Sequence, residues 1–315
     1  RRSEWDTPSA GCCHVPDDFL LPGFWVVFSA AARASRIMPV QIQYPSAKHQ
    51  SYAETLGLPK LLDDASPESF TRWQEGLAYA RLARLKGPEA ADEATSRINS
   101  CLRENLAGSP FKDRLALDLA GIVGELHDNV AAHTDAMGIS MAQRLKGQGP
   151  YPDEIAFAIA DLGGGFSRKL RQFGVDHRDD AEAIEWCLAE GQSTGILSEP
   201  KDDWAQLLPD DAIGTPYPDS IERAYGSANH HQGLGLAMLV RLVRQYRGRL
   251  EVASGNVLYT VHRDGGVVID HFDSAWHGVA ISFRFADSGD LAGVQPDCEN
   301  TVLSLRERFK TGEGR

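Results

Sequence analysis

Leu115-Ala116-Leu117-Asp118-Leu119-Ala120-Gly121-Ile122-Val123-Gly124-Glu125-Leu126-His127-Asp128-Asn129-Val130 is the stretch from which the fold can be read. Leu115, Leu119, Ile122, Val123, Leu126 and Val130 recur at helical spacing and form one continuous apolar stripe. A stripe of that length must be covered, and the next segments supply a sheet to cover it. In 138–145, Ile139, Met141 and Leu145 alternate with other residues; in 154–161, Ile155, Phe157 and Ile159 do the same. Gly147-Gln148-Gly149-Pro150 between them suits a hairpin-type connection.

Downstream, a long polar region from Phe166 to Gln232 holds one predicted helix, around Asp180 to Glu190. A second strong helix is predicted from about Leu236 to Tyr246, closed by Gly248. Four strands follow, at Leu250–Ala253, Val257–Val261, Val267–Ile269 and Val279–Phe285. Upstream, Phe24-Trp25-Val26-Val27-Phe28 running into Ala30-Ala31-Ala32 reads as a buried helix, Val40, Ile42 and Tyr44 as a half-buried strand, and His49 to Leu56 as a helix. Ser66-Pro67 has the chemistry of a helix start, with Phe70, Trp73 and Leu77 on one face and Gly87-Pro88 as its stop. Another helix is predicted from Ala90 to Leu106, and the turn cluster Gly108-Ser109-Pro110 marks a domain boundary. The division that follows is a small α/β region over 1–62, connecting helices over 63–108, a main domain over 109–286 and a tail over 287–315.

The 315 residues suffice for a sizeable core, and 42% hydrophobic with 24% charged residues is an ordinary globular balance. With 44 acidic against 32 basic residues the formal charge is −12, which repels a phosphate backbone and argues against nucleic acid as a partner. Five cysteines, Cys12, Cys13, Cys101, Cys187 and Cys298, contain no C-x-x-C pair and no zinc-site spacing. The longest apolar stretch, Gly23 to Ala32, is well short of the ~20 residues that span a bilayer. No apolar signal core follows Arg1-Arg2 directly, so a cytoplasmic, non-membrane protein is expected.

Three features carry chemistry. Glu125 and Asn129 stand four residues apart on one flank of the first helix, off the apolar stripe. A carboxylate beside an amide oxygen suits a Mg²⁺ ion that keeps several waters and binds substrate phosphates, although such a pair alone is most often a solvated helix edge. Asp161-Leu162-Gly163-Gly164-Gly165 stands where an apolar strand ends. There a fixed carboxylate can accept from an exocyclic amine such as that of adenine, and glycines admit a ring or phosphate to the backbone; the plain alternative is an Asp-Gly turn. Finally, His231-Gln232-Gly233-Leu234-Gly235-Leu236 opens a helix, where free N–H groups make an anion site. Neither a Walker loop nor a Rossmann fingerprint fits: Lys169 is misplaced for the first, and Met238 stands where the second needs glycine.

Taken in order, these residues resemble the GHKL superfamily of gyrase-type, chaperone-type, mismatch-repair and histidine-kinase ATP-binding domains. The resemblance spans roughly Ser109 to Ala286. Glu125-Leu126-His127-Asp128-Asn129 is similar to its E-x-x-x-N box, Asp161-Leu162-Gly163-Gly164-Gly165 to its D-x-G-x-G box and Gly233-Leu234-Gly235-Leu236 to its second glycine box. Gly248-Arg249-Leu250-Glu251-Val252-Ala253-Ser254 resembles the kinase-like branch.

What the resemblance implies is an α+β protein with a two-layer α/β sandwich of Bergerat type, a mixed sheet with helices on one face, preceded by a small α/β N-terminal domain. It implies ATP and Mg²⁺ as ligands, with Asn129 on the metal, Asp161 on the adenine amino group, and Gly163, Gly165, Gly233, Leu234, Gly235 and Leu236 shaping the nucleotide contacts. Glu125 would polarise water if ATP is hydrolysed. The Phe166–Gln232 region would contain a lid that orders with nucleotide. The expected function is that of a Mg-ATP-binding regulatory protein acting on a protein partner, homodimerisation being compatible with it. The alternative is an ATP-hydrolysing enzyme or a Ser/Thr protein kinase of anti-sigma type. Two departures are visible: Ala132 and His133 stand where many sensor kinases carry Lys, and no H-E-x-x-T-P phosphoacceptor pattern occurs upstream. Val40-Gln41-Ile42-Gln43-Tyr44-Pro45 and Tyr52-Ala53-Glu54-Thr55-Leu56-Gly57-Leu58 are loosely similar to STAS-type regulatory domains, with a generic α/β cap reading the same residues equally well.

Overall fold

The computed structural model describes residues 13–67, 72–106, 110–133, 137–147, 152–189 and 235–286. Strand β1 (Cys13–His14) leads into helix α1 (Pro22–Ala34), a 3-10 turn (Pro39–Gln41), strand β2 (Ile42–Gln43) and helices α2 (Ala47–Thr55) and α3 (Leu58–Leu62). Next come β3 (Tyr79–Leu85), α4 (Pro88–Leu106), α5 (Pro110–His133), β4 (Gly138–Leu145) and β5 (Glu154–Asp161). Helices α6 (Gly165–Gln172), α7 (Asp180–Leu188) and α8 (Gly235–Gln245) and strands β6 (Arg249–Val261) and β7 (Val267–Ala286) complete the described chain. No helix among the described residues is long and apolar enough to cross a membrane.

The protein is α+β, built on a five-stranded sheet of order β3-β4-β5-β7-β6, with β1 and β2 forming a separate two-stranded parallel pair. Every neighbouring pair in the large sheet is antiparallel, so the expected mixed sheet is corrected. One face presents Ile155, Phe157, Ile159, Leu250, Val252, Phe283 and Phe285 to a core shared with α4, α5 and α8, and the predicted α5 stripe is buried there throughout. Phe157 and Phe283 stack at its centre, with ring centroids 4.9 Å apart.

Helices cover the other face as well, which corrects the expected two layers with helices on one face. Ala158, Ala160, Ala253 and Ala280 point to that side with Ile139 and Met141, and their small side chains let α1 lie close to the strands. Trp25 and Val26 of α1 are fully buried against them. The physical reason is in the strands: both faces of β5 are apolar, so the sheet needs cover twice.

Residues 79–85, predicted as helix, form the edge strand β3, antiparallel to β4. The supposed helical face fails the burial test, since Trp73 is 82% exposed and Leu77 45%, whereas Ala80, Leu82 and Leu85 are buried. Gly87 at φ +81° ends that strand and Pro88 starts α4, the role a proline fits best in a helix. Described residues on both sides of Gly108 thus share one sheet and one core. Near the other end, Val40 lies in the 3-10 turn, and the strand predicted there shortens to Ile42–Gln43. The last four predicted strands merge into the single hairpin β6–β7, with register shifts around Ser254 and Gly255.

Candidate functional site

Three parts of the chain converge towards one end of the sheet. Helix α5 reaches it through Val130, which packs so closely on Gly138 that a side chain at Gly138 would overlap the valine. Gly138 is the direct partner of Asp161 across the β4–β5 pair, so the last turns of α5 lie over the end of β5. Asn129, one residue before Val130, and Glu125, one turn earlier, are both half-buried. Leu115, Leu119, Ile122, Val123, Leu126 and Val130 take the core side of the helix and leave that flank to the polar pair.

The start of α8 meets the same flank. A Cβ on Gly235 would lie 2.7 Å from Glu125 Oε2 and 3.2 Å from Glu125 Cβ, so a side chain there would push the Glu125 carboxylate aside. Leu236 packs partly buried against the core, which gives it a structural role. Gly233 and Leu234, predicted for the same anion site, lie outside the described residues.

Asp161 is 7% exposed at the end of β5. Its Oδ1 accepts the Gly163 N–H at 2.7 Å and its Oδ2 the Val279 N–H at 3.3 Å. Burial pushes this carboxyl up to about 6, against the pull of those two amides and the nearby Lys169 ammonium. Each carboxylate oxygen has two lone pairs, so a second donor can be accepted on either one. Gly163 thus serves Asp161 directly, while Gly165, at φ +69°, makes the left-handed turn from which α6 starts.

Two buried groups near these residues were not singled out by sequence. His127, between Glu125 and Asn129, is completely buried; its Nδ1 lies 2.7 Å from Thr95 Oγ1, and its ring faces Phe157. Burial brings its pKa down to about 4, so it is neutral near pH 7. Helical spacing held the signal, since His127 stands four residues after Val123 and three before Val130, on the core stripe. Ser254, 2% exposed, follows the buried segment Leu250–Ala253 and ties the loop after Asp161 to β7.

The first part of the region expected to contain a lid packs into the core. Phe166 and Leu170 of α6 and Ala183, Ile184 and Leu188 of α7 belong to the main core. The remainder of that region, 190–234, lies outside the described residues. A cavity of about 340 Å³ opens between α7, α8 and β6, lined by Glu185, Leu188, Val240, Arg241, Arg244 and Tyr259 among others, and it includes none of Glu125, Asn129 or Asp161.

The donor set decides which metal would fit. Among the described residues no three His, Cys, Asp or Glu side chains gather as a metal cage. Mg²⁺ needs none, because it usually takes one or two protein oxygens and completes its shell with water and phosphate. The Glu125–Asn129 flank offers hard oxygen donors of that kind. No protein-family model, curated protein or solved structure matches this chain.

Proposed function

We propose that this chain is a Mg-ATP-binding regulatory protein of the GHKL, histidine-kinase-like superfamily, with a Bergerat-type nucleotide site and a protein partner that responds to the nucleotide state. The observation that carries the reading is the contact of Gly235 with Glu125. It joins a glycine-opened helix start, suited to phosphate, to a flank of α5 whose Glu125 and Asn129 offer oxygen donors for the accompanying metal.

In this reading the ends of the ligand are held by different elements. Asp161 accepts the exocyclic amine of adenine, with Gly163 leaving room beside it. The N-terminal turn of α8 faces the phosphates, and Asn129 supplies an amide oxygen to Mg²⁺, whose chemistry is to offset phosphate charge. Glu125 keeps its carboxylate beside the same turn, where it can hold a proton acceptor towards a water molecule. That placement also favours the second reading, an ATP-hydrolysing enzyme or a Ser/Thr kinase of anti-sigma type.

Calorimetric titration of the full chain with ATP, with and without Mg²⁺, followed by a phosphate-release assay on the same sample, tests both. Saturable binding strengthened by Mg²⁺ is expected. A flat titration at millimolar ATP removes the proposal, and sustained phosphate release moves the protein to the enzyme reading.

A further inference from the structure

The loop that carries Asp161 closes on itself through a residue 93 positions away in sequence, Ser254. Starting at the carboxylate, Asp161 Oδ2 accepts from Val279 N–H at 3.3 Å. The carbonyl of Gly278, the residue before Val279, accepts the Ser254 hydroxyl at 3.1 Å. Ser254 Oγ in turn accepts the Phe166 N–H at 3.1 Å, and Phe166 ends the glycine turn whose Gly163 N–H returns to Asp161 Oδ1 at 2.7 Å. The ring of contacts is tight at two glycines. A Cβ at Gly165 would lie 2.9 Å from Ser254 Oγ, and one at Gly278 would overlap the Asp161 carbonyl.

A serine in this place uses both capacities of its hydroxyl, one proton given and one lone pair engaged. Ser254 also stands at the register shift of β6, beside Gly255 at φ +61°. A second tie holds the same bulge but stays outside the ring: Asp180 accepts the Asn256 N–H at 3.1 Å and the Ser167 hydroxyl.

We propose that Ser254 is the positioning residue for base recognition, its hydroxyl locking the loop and β7 together so that Asp161 presents its carboxylate in one orientation. This rests on the adenine-binding role given to Asp161 above. Without the hydroxyl, the Phe166 N–H and the Gly278 carbonyl lose their shared partner. The loop after Asp161 then has one tie fewer to β7, while β5 and β7 stay paired up to Ala160 and Ala280.

The test uses Ser254→Ala and, should that variant fold poorly, Ser254→Cys, which keeps the volume and gives only a weak donor. Ser167→Ala is the control, since it breaks the tie outside the ring. In folded protein without ligand, amide exchange at Gly163 and Val279 is expected to speed up about tenfold in the Ser254 variants and to stay at the wild-type rate in Ser167→Ala. The ratio of ATP to GTP affinity is expected to fall about tenfold in the Ser254 variants alone. Unchanged exchange at both amides in a folded Ser254 variant overturns the proposal, as does equal loosening by Ser167→Ala. If wild type binds neither nucleotide, the base-recognition reading is what fails, and the exchange rates still decide whether Ser254 orders the ring.

Discussion

Replacing Asp161 by Asn gives the most informative single change, because burial of the carboxyl sets the sign of its effect on stability and an order of magnitude for it. The buried carboxyl titrates at about 6 instead of 3.8, chiefly through desolvation. A carboxyl whose folded pKa is raised binds more protons folded than unfolded between those two values, so its contribution to stability is lost as pH rises through that window. At 1.36 kcal/mol per unit, the full cost is about 3 kcal/mol above pH 7, and about 2 kcal/mol of it accrues between pH 4 and pH 7.5. Asparagine keeps an acceptor for the Gly163 N–H but turns an NH₂ donor towards the Val279 N–H, a mismatch worth about 1–2 kcal/mol at every pH. Urea unfolding of both proteins at pH 4 and pH 7.5 isolates the carboxyl, since the mismatch cancels in the comparison. The stability of Asp161→Asn relative to wild type is expected to improve by about 2 kcal/mol from the lower to the higher pH. Parallel behaviour at the two pH values would refute the reasoning, because a carboxyl that does not strain the folded state is not desolvated as the geometry requires. The same variant is expected to lose ATP affinity, and wild-type affinity is expected to fall as pH drops through about 6 and the acceptor becomes protonated.

Three further outcomes are expected. Asn129→Ala should weaken ATP binding in Mg²⁺ while leaving the metal-free affinity and the fold intact, since the α5 stripe does not use this side chain; an unchanged calorimetric affinity removes Asn129 from the site. Glu125→Gln should retain ATP and slow any phosphate release by about 10²–10⁴-fold, the usual contribution of a general base, and hydrolysis at the wild-type rate would make this carboxylate structural. His127→Ala should cost about 2–4 kcal/mol in urea unfolding, because it leaves a void beside Phe157 and removes the partner of Thr95; a cost under about 0.5 kcal/mol would show that α4 and α5 do not depend on it.

How far the sequence could be read depended on whether a segment's burial is set by its own pattern or by what lies across from it. The α5 stripe and strands β4 and β5 were legible because periodicity alone places their apolar residues. The helices α4, α7 and α8 were legible for the same reason. Strand β3 was not, since Trp73 and Leu77 imitate a helical face while lying in an exposed turn, and its pairing with β4 is a tertiary fact. Nor was the third layer visible: Ala158, Ala160, Ala253 and Ala280 are too small to signal a covered face, yet their smallness is what admits α1. At the candidate site, motif order located Glu125, Asn129 and Asp161. Ser254 escaped because its partners, Phe166 and Gly278, are main-chain groups brought near by the bulge in β6.

Asp161 and His127 also explain why the wild-type acid profile would say little about either. His127, held down at about 4 by burial, takes up its proton more readily unfolded than folded between 6.5 and 4, so its contribution to stability is lost as pH falls through that range. Over pH 7.5 to pH 4 the loss is about 3 kcal/mol, against a gain of about 2 kcal/mol from Asp161 over the same interval. The two contributions have opposite signs, so the wild-type curve alone does not separate them. They differ in what burial serves. His127 has its ring packed on Phe157 and its Nδ1 on Thr95, so its neutral form completes a helix–helix contact. Asp161 has apolar strands behind it and two main-chain amides on its oxygens, and its burial costs the ionised fold stability. Those two amides tie the loop after β5 to β7, and in the proposed function an amine of the ligand would be a third donor to the same carboxylate.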